Sequence, residues 1–265
     1  MVFLRHLIIS AFFLLPGCSS GNSVSEEIRF IVISDSHYGE PGTSSRRNLR
    51  HIIKWIEFEK RQGLDFFVLN GDISHDSLSY LKEGASFFKK TGVPFFPVRG
   101  NHDQVSDSVW KSIWGFPADT TFVLGGVNLI FLSSSDESGN YLCPDNAFLR
   151  SAVKSGKREN PSFIFSHIAL NQEWARHSVD CPESASILKS RKNIFLFSGH
   201  DHDRYGGLKD GGLTVLFSGR SGGSWGEAPR GYRVFEFSKG SWRSFYFVPS
   251  SGDTLGIYSS GSAGQ

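Results

Sequence analysis

The chain is organised around the run Val93-Pro94-Phe95-Phe96-Pro97-Val98 and the tetrapeptide that follows Arg99, Gly100-Asn101-His102-Asp103. The apolar run has the length and composition of a buried strand. The tetrapeptide places an amide, an imidazole and a carboxylate on one tight turn at the edge of a sheet. Polar groups are costly to hold beside an apolar core without partners, so the rest of the chain is expected to supply those partners.

Four other apolar runs of strand length end in polar side chains of the metal-ligating type. The first of them, residues 28–34, is nearly continuous, which is typical of a strand covered on both faces. The polar residues are Asp35 and His37 after residues 28–34, Asp72 after residues 65–70, His167 after residues 163–166, and His200 and His202 after residues 194–198. Because the carboxyl ends of strands line the crevice of an α/β sheet, these side chains are expected to converge in space.

The converging set has the composition of a site for two metal ions. It contains two Asp, one Asn and four His, namely Asp35, His37, Asp72, Asn101, His167, His200 and His202. Asp, Asn and His without thiolate suit Fe, Mn, Zn or Ni, and the set is too large for one ion with open positions. Two ions about 3.5–4 Å apart need a bridging group, and the carboxylate of Asp72 is the natural candidate.

Taken in order, these motifs resemble the five sequence blocks of the calcineurin-like metallophosphoesterase superfamily. The blocks are Asp35-x-His37, Gly71-Asp72, Gly100-Asn101-His102-Asp103, His167 and Gly199-His200-x-His202, which cover residues 28–203. The resemblance implies an α/β fold in which a two-sheet β-sandwich is flanked by helices. It also implies that one metal ion is bound by Asp35, His37, Asp72 and His202, and the other by Asp72, Asn101, His167 and His200. The compact layout is most similar to class III cyclic nucleotide phosphodiesterases and related small bacterial phosphoesterases.

The expected activity is hydrolysis of a small phosphomonoester or phosphodiester by water that two divalent metal ions activate. His102 would protonate the leaving alkoxide as general acid, and Asp103 would accept the other ring proton of His102 and fix its tautomer. The alternative is a catalytically inactive envelope lipoprotein that uses the fold as a binding module, and the complete set of ligands weighs against it. The identity of the substrate, the metal and the oligomeric state remain open.

Composition places the chain among globular proteins and gives no argument for nucleic-acid binding. Of its 265 residues, 39% are hydrophobic and 20% are charged, which allows a full core. The net charge is +2, and basic residues are scattered, with no run longer than pairs such as Arg46-Arg47. The 24 phenylalanines lie mostly in apolar runs, so most of them are expected in the core.

Strand and helix patterns alternate in the first half, and strands dominate the second half. Helices are predicted within residues 46–62, 78–90, 105–114 and 145–157, and a hairpin over residues 122–132 with a Gly-Gly turn. Further strands are predicted at residues 205–209, 213–217, 232–237 and 242–248. The phosphoesterase domain is therefore expected to span residues 27–249, followed by a Ser- and Gly-rich, poorly packed tail over residues 250–265.

The N-terminus has the pattern of an export signal. Residues 7–15 are apolar but too short to span a bilayer. Leu15-Pro16-Gly17-Cys18 resembles a lipobox, so residues 1–18 would be a lipoprotein signal peptide and lipobox, and Cys18 would carry the lipid. An ordinary secretory signal cleaved nearby is the alternative. Residues 19–26 would be a flexible tether, and the lack of Asp after Cys18 implies anchoring at the outer membrane, facing the periplasm or the surface.

Cys143 and Cys181 remain for the exported part of the chain, and each precedes a proline. In an oxidising compartment they suggest a disulfide, with a pair of free buried thiols as the alternative. Metal binding by these thiols is not expected, because neither has a second Cys or a His at ligand spacing.

Substrate specificity is expected to come from loops around the strand ends, at residues 38–45, 133–143 and 219–229. Arg220 and Trp225 lie in a glycine-rich segment that would approach the metal crevice, where Arg220 could hold a phosphate. A purely structural role for this segment is the alternative. His75, three residues after Asp72, could reach the substrate, although a place in a surface loop fits it better.

Overall fold

The structure is a computed structural model that describes residues 27–157 and 160–261. The strands, in chain order, are β1 (Glu27–Ile33), β2 (Phe66–Asn70), β3 (Phe95–Val98), β4 (Thr120–Leu124), β5 (Val127–Leu132), β6 (Ser162–Ser166), β7 (Ile194–Ser198), β8 (Gly207–Asp210), β9 (Leu213–Phe217), β10 (Tyr232–Ser238), β11 (Ser241–Val248) and β12 (Asp253–Ser259). The helices are α1 (Ser45–Arg61), α2 (Leu78–Lys89), α3 (Asp107–Trp114), α4 (Asn146–Ser155) and α5 (Pro182–Lys189). The predicted signal peptide, lipobox and tether lie outside the described residues. Within those residues, no helix has the length and apolarity needed to cross a membrane.

The strands form two sheets of six strands each. The strand order is β12-β11-β10-β1-β2-β3 in the first sheet and β4-β5-β6-β7-β9-β8 in the second. β1, β2 and β3 are parallel, as are β5, β6, β7 and β9, whereas the remaining strands pair antiparallel. Parallel neighbours end at the same edge, so the residues that follow them are brought together. The predicted α/β architecture of two sheets flanked by helices is confirmed.

Phenylalanine fills much of the space between the two sheets. Phe30 of β1 stacks on Phe66 and Phe235, with ring centroids 4.8 and 5.1 Å apart. It also meets Phe163 of the facing sheet edge-on at 5.1 Å. Burying each such side chain stabilises the fold by roughly 1.5–3 kcal/mol relative to leaving it exposed. The frequent phenylalanines therefore hold the two sheets, and with them the strand ends, in a fixed relation.

The helices cover the outer faces of the sheets. Ile31 and Ile33 of β1 join one apolar cluster with Ile52 and Ile56 of α1. Successive side chains of a strand point to opposite faces, so β1 is covered on both faces, as its continuous apolar run predicts. α4 and α5 contribute to the corresponding cluster on the second sheet.

Residues 250–261 correct the prediction of a poorly packed tail over residues 250–265, whose last four residues lie outside the described part of the chain. Asp253–Ser259 forms β12, which pairs antiparallel with β11. The Gly252 N–H donates to the Val248 carbonyl at 2.8 Å in the turn between them, and the Tyr258 hydroxyl donates to the Gly207 carbonyl at 2.6 Å. The side-chain pattern did not reveal this strand. Its backbone N–H and C=O groups pair with those of β11, and this pairing does not depend on side-chain type.

Cys143 and Cys181 form a disulfide, with their Cα atoms 5.5 Å apart, so the predicted bridge is confirmed and the alternative of free thiols is wrong. Cys181 immediately precedes α5, an eight-residue helix that the sequence pattern did not predict. A helix this short shows too little periodicity to be recognised. The bridge ties residues 133–143 to the start of α5.

Candidate dinuclear metal centre

The seven predicted ligands meet at one end of the sandwich, which we call the ligand edge. Four of them follow strands of the first sheet, namely Asp35, His37, Asp72 and Asn101, and three follow strands of the second, namely His167, His200 and His202. Backbone hydrogen bonds join the loops within each sheet. The Asp35 N–H donates to the Gly71 carbonyl at 3.1 Å, and the Gly199 N–H donates to the His167 carbonyl at 2.9 Å. Both sheets therefore contribute to one site.

The backbone of the ligand edge is held in an uncommon conformation. Asp35, His37, Asp72 and His200 have φ values of 56°, 43°, 49° and 65°, in the left-handed region that non-glycine residues seldom adopt. Each such residue costs roughly 1–3 kcal/mol and persists only where its surroundings impose it. Residues in this state cluster at functional sites, and here they are four of the seven predicted ligands.

The Gly100-Asn101-His102-Asp103 turn packs directly against Asp72. A Cβ atom on Gly100 would lie 2.1 Å from the backbone nitrogen of Asp72 and 2.2 Å from its Oδ1 atom, so only glycine fits. The His102 N–H then donates to Oδ1 of Asp72 at 2.8 Å. This contact fixes the carboxylate of Asp72 and brings Asn101 beside it.

Asp35, His37 and His202 form the first group of ligands, in which one atom of each lies within 4.8 Å of the others. The Nε2 atom of His202 lies 3.1 Å from Oδ1 of Asp35 and 3.2 Å from Nε2 of His37. On its other side, Nδ1 of His202 contacts the Trp225 carbonyl at 3.0 Å and donates to it. That bond leaves the lone pair of Nε2 directed into the group, the arrangement of a metal-binding histidine.

Asp72, His167 and His200 form the second group, with the same spacing. Nδ1 of His167 donates to the Asn70 carbonyl at 2.8 Å, so its Nε2 atom faces Asp72. Nε2 of His167 lies 3.2 Å from Oδ2 of Asp72, and Oδ1 of Asn101 is buried without a hydrogen-bond partner. Buried polar atoms without partners are uncommon and need a reason. A divalent cation is a partner that the Asn101 oxygen and the deprotonated His167 nitrogen both fit, and the donor set suits Fe, Mn, Zn or Ni.

The carboxylate of Asp72 lies between the two groups. Its Oδ2 atom is 3.5 Å from Nε2 of His37 in the first group and 3.2 Å from Nε2 of His167 in the second. No other predicted ligand belongs to both sets that the family resemblance implies. This position would allow the carboxylate of Asp72 to bridge two ions.

Burial and charge shift the pKa values of the ligand groups strongly. Burial favours a higher pKa for Asp35, but the nearby His167 and His202 outweigh it and hold that pKa well below its usual value. Burial acts to lower the pKa of His167, and Asp72 and Asp35 overcome it and raise the pKa to about 10. Burial lowers the pKa of His200 to about 4. A proton on His167 and a metal ion therefore compete for the same place beside the carboxylates.

His102 faces Asp76 rather than the predicted partner Asp103. Its Nδ1 atom lies 2.8 Å from Oδ1 of Asp76, and the Asp76 N–H donates to the His102 carbonyl at 2.9 Å. Asp76 adopts a φ of 50°, which turns the loop after β2 back toward His102. Sequence reasoning missed Asp76; the available signal was its place in the loop that follows Gly71-Asp72.

The prediction that Asp103 accepts a proton from His102 is wrong. Asp103 is fully buried, and its carboxylate accepts from the N–H groups of Ser74 at 2.8 Å, Gly100 at 3.1 Å and Ile73 at 3.2 Å. Burial raises its pKa to about 6 although these donors oppose the rise. The side chain after His102 points into the fold, so Asp103 fastens the loop after β2 to the turn after β3.

His75 is closer to the site than the sequence indicated. Its Nδ1 atom lies 3.2 Å from Nδ1 of His37, and its ring stacks on His102 with centroids 4.7 Å apart. Because Nε2 of His37 faces the ligand group, Nδ1 of His37 is the atom that donates to His75. Burial, followed by the charges of His102 and His37, lowers the pKa of His75. His75 therefore acts as a neutral acceptor that orients a predicted metal ligand.

Arg220 has a structural role, which was the alternative to the prediction that it holds a phosphate. Its Nε atom donates to the Ala228 carbonyl at 2.9 Å, and its Nη1 atom donates to the Trp225 carbonyl at 2.6 Å. It does not line the cleft over the ligands. The guanidinium thus shapes the glycine-rich loop (residues 218–226) instead of facing a phosphate.

A cleft of about 340 Å³ opens over the ligand edge. Two aromatic side chains line it together with His102, namely Trp225, which is 41% exposed, and Tyr141, which is 47% exposed. The Tyr141 hydroxyl lies 2.8 Å from Nε2 of His200, which leaves Nδ1 of His200 for the ligand group. The disulfide of Cys143 holds the loop that carries Tyr141 in this position. The cleft is therefore a site in which a small ester can meet both ligand groups and His102.

Comparison with solved structures supports the fold. A dimetal phosphatase from Danio rerio superposes with a TM-score of 0.65 at 14% identity, covering 88% of this chain and 98% of that one. Purple acid phosphatase PPD1 from yellow lupin (Lupinus luteus) seeds superposes with a TM-score of 0.60 at 15% identity, covering 89% of this chain and 54% of the lupin protein. At these identities the likeness concerns the fold.

Sequence comparison identifies the family. Uncharacterized protein C1020.05 of Schizosaccharomyces pombe is 27% identical over 173 residues, which cover 51% of this chain and 34% of the yeast protein. The match therefore spans only about a third of that relative. Residues 28–204, which include every predicted ligand, match the calcineurin-like phosphoesterase family. The chain therefore belongs to the calcineurin-like phosphoesterase family.

Proposed function

We propose that this protein hydrolyses a small phosphomonoester or phosphodiester with two divalent metal ions. The observation that carries the proposal is the position of Asp72, whose Oδ2 atom lies within 3.5 Å of a histidine from each ligand group. Asp35, His37 and His202 would hold one ion together with Asp72, and Asn101, His167 and His200 would hold the other with the same carboxylate. When bound, the ions would acidify a water and neutralise charge on the phosphoryl oxygens.

The chain's own groups orient the ligands and deliver the proton. His202 and His167 are turned toward the ions by the backbone carbonyls of Trp225 and Asn70. His102 donates its Nδ1 proton to Asp76, so its Nε2 atom is the one that can protonate a leaving oxygen. Its ring lies 5.0 Å from that of His37, so this proton would be released beside the ligand groups.

The test is metal binding and hydrolysis by the purified chain. We expect two ions per chain by elemental analysis, and hydrolysis of bis-p-nitrophenyl phosphate or p-nitrophenyl phosphate once Mn²⁺ is supplied. His167→Ala, which removes one buried ligand, is the matched control and should lose both an ion and the activity. A wild-type chain that binds two ions and hydrolyses neither these esters nor a wider panel would favour the alternative, a binding module without catalysis.

We also propose that the protein is exported and carries a lipid on Cys18. The Cys143–Cys181 disulfide supports an oxidising compartment. Labelling cells with a fatty-acid analogue should label the wild-type protein and leave the Cys18→Ala variant unlabelled. Label on neither protein, with a cleaved N-terminus close to residue 18, would favour the ordinary secretory signal.

A further inference from the structure

Trp225 presents a large aromatic surface at the rim of the cleft. Its ring lies parallel to that of His202, with centroids 4.7 Å apart and an interplanar angle of 12°. It also lies 4.4 Å from the ring of His37. With 41% of the residue exposed, the ring is in contact with predicted ligands and open to the cleft at once. Single exposed apolar residues are ordinary on protein surfaces, so its role depends on how it is held.

Four hydrogen bonds fix the segment around Trp225. The Trp225 carbonyl accepts hydrogen bonds from Nδ1 of His202 at 3.0 Å and from Nη1 of Arg220 at 2.6 Å. Nη2 of Arg230 donates to the Gly223 carbonyl at 2.8 Å, and the Ser224 hydroxyl donates to the buried carboxylate of Glu40. A ligand that stacks on this ring therefore meets a surface that is already ordered, which reduces the entropic cost of binding.

The backbone of the glycine-rich loop also packs directly against the ligand edge. A Cβ atom on Gly222 would lie 2.1 Å from the Ser36 carbonyl oxygen. The Gly222 N–H donates to the Asp35 carbonyl at 2.8 Å. The absence of a side chain at this position is what allows Trp225 to lie over the ligands instead of above the surrounding surface.

Apart from the two proposed ions, the side chains of the cleft disfavour an anionic leaving group. The residues that line it include Asp201 and Asp203, and none of the described residues that line it is Lys or Arg. A leaving group with a second phosphate needs cationic donors to replace its hydration. An uncharged leaving group has no such requirement, and it can use the exposed ring.

The position of His102 indicates which part of the substrate meets Trp225. The centroids of these two rings are 6.0 Å apart. In the proposed hydrolysis, His102 protonates the leaving oxygen, so the group attached to that oxygen lies next to Trp225. A ring carried on the leaving alcohol would come within stacking distance of the indole.

We propose that Trp225 is a stacking platform for the leaving group, and that the substrates of this site are phosphoesters of uncharged alcohols that carry a planar ring. This inference rests on the proposed phosphoesterase activity. Trp225 is then a residue that determines specificity, because its side chain contacts the substrate without taking part in proton transfer or metal binding.

The test compares two esters that differ in the planarity of the ring. Benzyl phosphate and cyclohexylmethyl phosphate have leaving alcohols of similar size and acidity, and their methyl diesters serve if the enzyme prefers diesters. We expect the metal-loaded wild type to show a KM for the benzyl ester lower by roughly three- to tenfold, the range for an aromatic contact. Trp225→Phe should keep this preference, and Trp225→Leu, which retains bulk without the ring, should abolish it with both ions still bound.

Binding of two non-hydrolysable phosphonates separates the inference from the proposed activity. Isothermal titration of the metal-loaded protein should give the same preference for benzylphosphonate over cyclohexylmethylphosphonate. Equal affinities in the wild type, or a preference that survives in Trp225→Leu, would overturn the stacking platform while leaving a hydrolase intact. A preference for benzylphosphonate without hydrolysis of any ester would support the platform and overturn the proposed activity.

Discussion

Nδ1 of His102 lies 2.8 Å from Oδ1 of Asp76, a residue 26 positions earlier in the chain. This hydrogen bond fixes the ring of His102 and leaves its Nε2 atom for the substrate. Neither residue belongs to the sets that the family resemblance assigns to the metals. We therefore expect that proton delivery can be removed separately from metal binding.

Substitution of His102 should slow the chemistry and spare the metals. We expect His102→Ala to lower kcat for an ester with an alkyl leaving group by about 10²–10⁴-fold, the usual contribution of a general acid. The loss for p-nitrophenyl phosphate should be smaller, because that leaving group needs no proton. Asp76→Asn should show the same dependence on the leaving group with a smaller loss. Full activity of His102→Ala on the alkyl ester would show that the assignment is wrong.

Asp103 should matter for stability rather than for proton transfer. In Asp103→Asn the new NH₂ group would face backbone donors that the carboxylate now satisfies. Leaving buried donors unsatisfied costs about 1–3 kcal/mol each, so we expect a clearly lower unfolding midpoint in denaturant. Asp76→Asn, which lies at the surface of the same loop, is the matched control and should unfold at nearly the wild-type midpoint. Equal midpoints for the two variants would contradict this role for Asp103.

Metal stoichiometry should distinguish the bridging carboxylate from the other ligands. Asp72→Ala removes a group that lies beside both ligand groups, so we expect fewer than one ion per chain by mass spectrometry of the elements. Asn101→Ala leaves Asp35, His37 and His202 in place and should retain one ion. If Asp72→Ala kept one ion as firmly as Asn101→Ala does, Asp72 would belong to one group alone.

Metal binding should release a proton from His167 at neutral pH. Because Asp72 and Asp35 raise the pKa of His167 to about 10, this histidine is protonated at pH 7 in the metal-free protein, and it must lose the proton to bind an ion. The raised pKa also means that the proton stabilises the metal-free fold below pH 6.5, and that this stabilisation is lost as the pH rises through about 10.

The apparent metal affinity should consequently increase by about tenfold for each pH unit between pH 6 and pH 8. Titration calorimetry in two buffers of different ionisation enthalpy would count the released protons. A count near zero at pH 7 would mean that His167 is already neutral.

The disulfide should stabilise the fold without taking part in the chemistry. It closes a loop with a sequence separation of 38 residues, for which the chain-entropy relation gives about 4 kcal/mol. We expect Cys143→Ser to lower the unfolding midpoint and to retain both ions. Loss of an ion on reduction would show instead that the loop carrying Tyr141 is needed to hold His200.

The convergence of the seven predicted ligands could be predicted from the sequence because each follows an apolar run at a strand end, and sheet geometry brings strand ends together. The role of Asp76 could not be predicted in this way, because its contact with His102 depends on the positive φ of Asp76, which turns the loop after β2 back toward His102. β12 depends on the backbone of β11, which no side-chain pattern records. Trp225 was visible as a residue near the crevice, but the contacts that hold its ring over His202 come from residues distant in sequence, such as Arg220 and Arg230.

Each ligand group draws on both sheets of the sandwich. Asp35 and His37 follow β1 while His202 follows β7, and Asp72 follows β2 while His167 follows β6. Bound ions would therefore act as two crosslinks between the sheets, in addition to the phenylalanine packing and to hydrogen bonds such as that from His167 to the Asn70 carbonyl. A ligand that binds only the folded state adds to its stability. The ions would therefore stabilise the sandwich at the ligand edge. Stripping them should let the sheets separate there first, with faster amide exchange at the ends of β2 and β6 than in the phenylalanine layer.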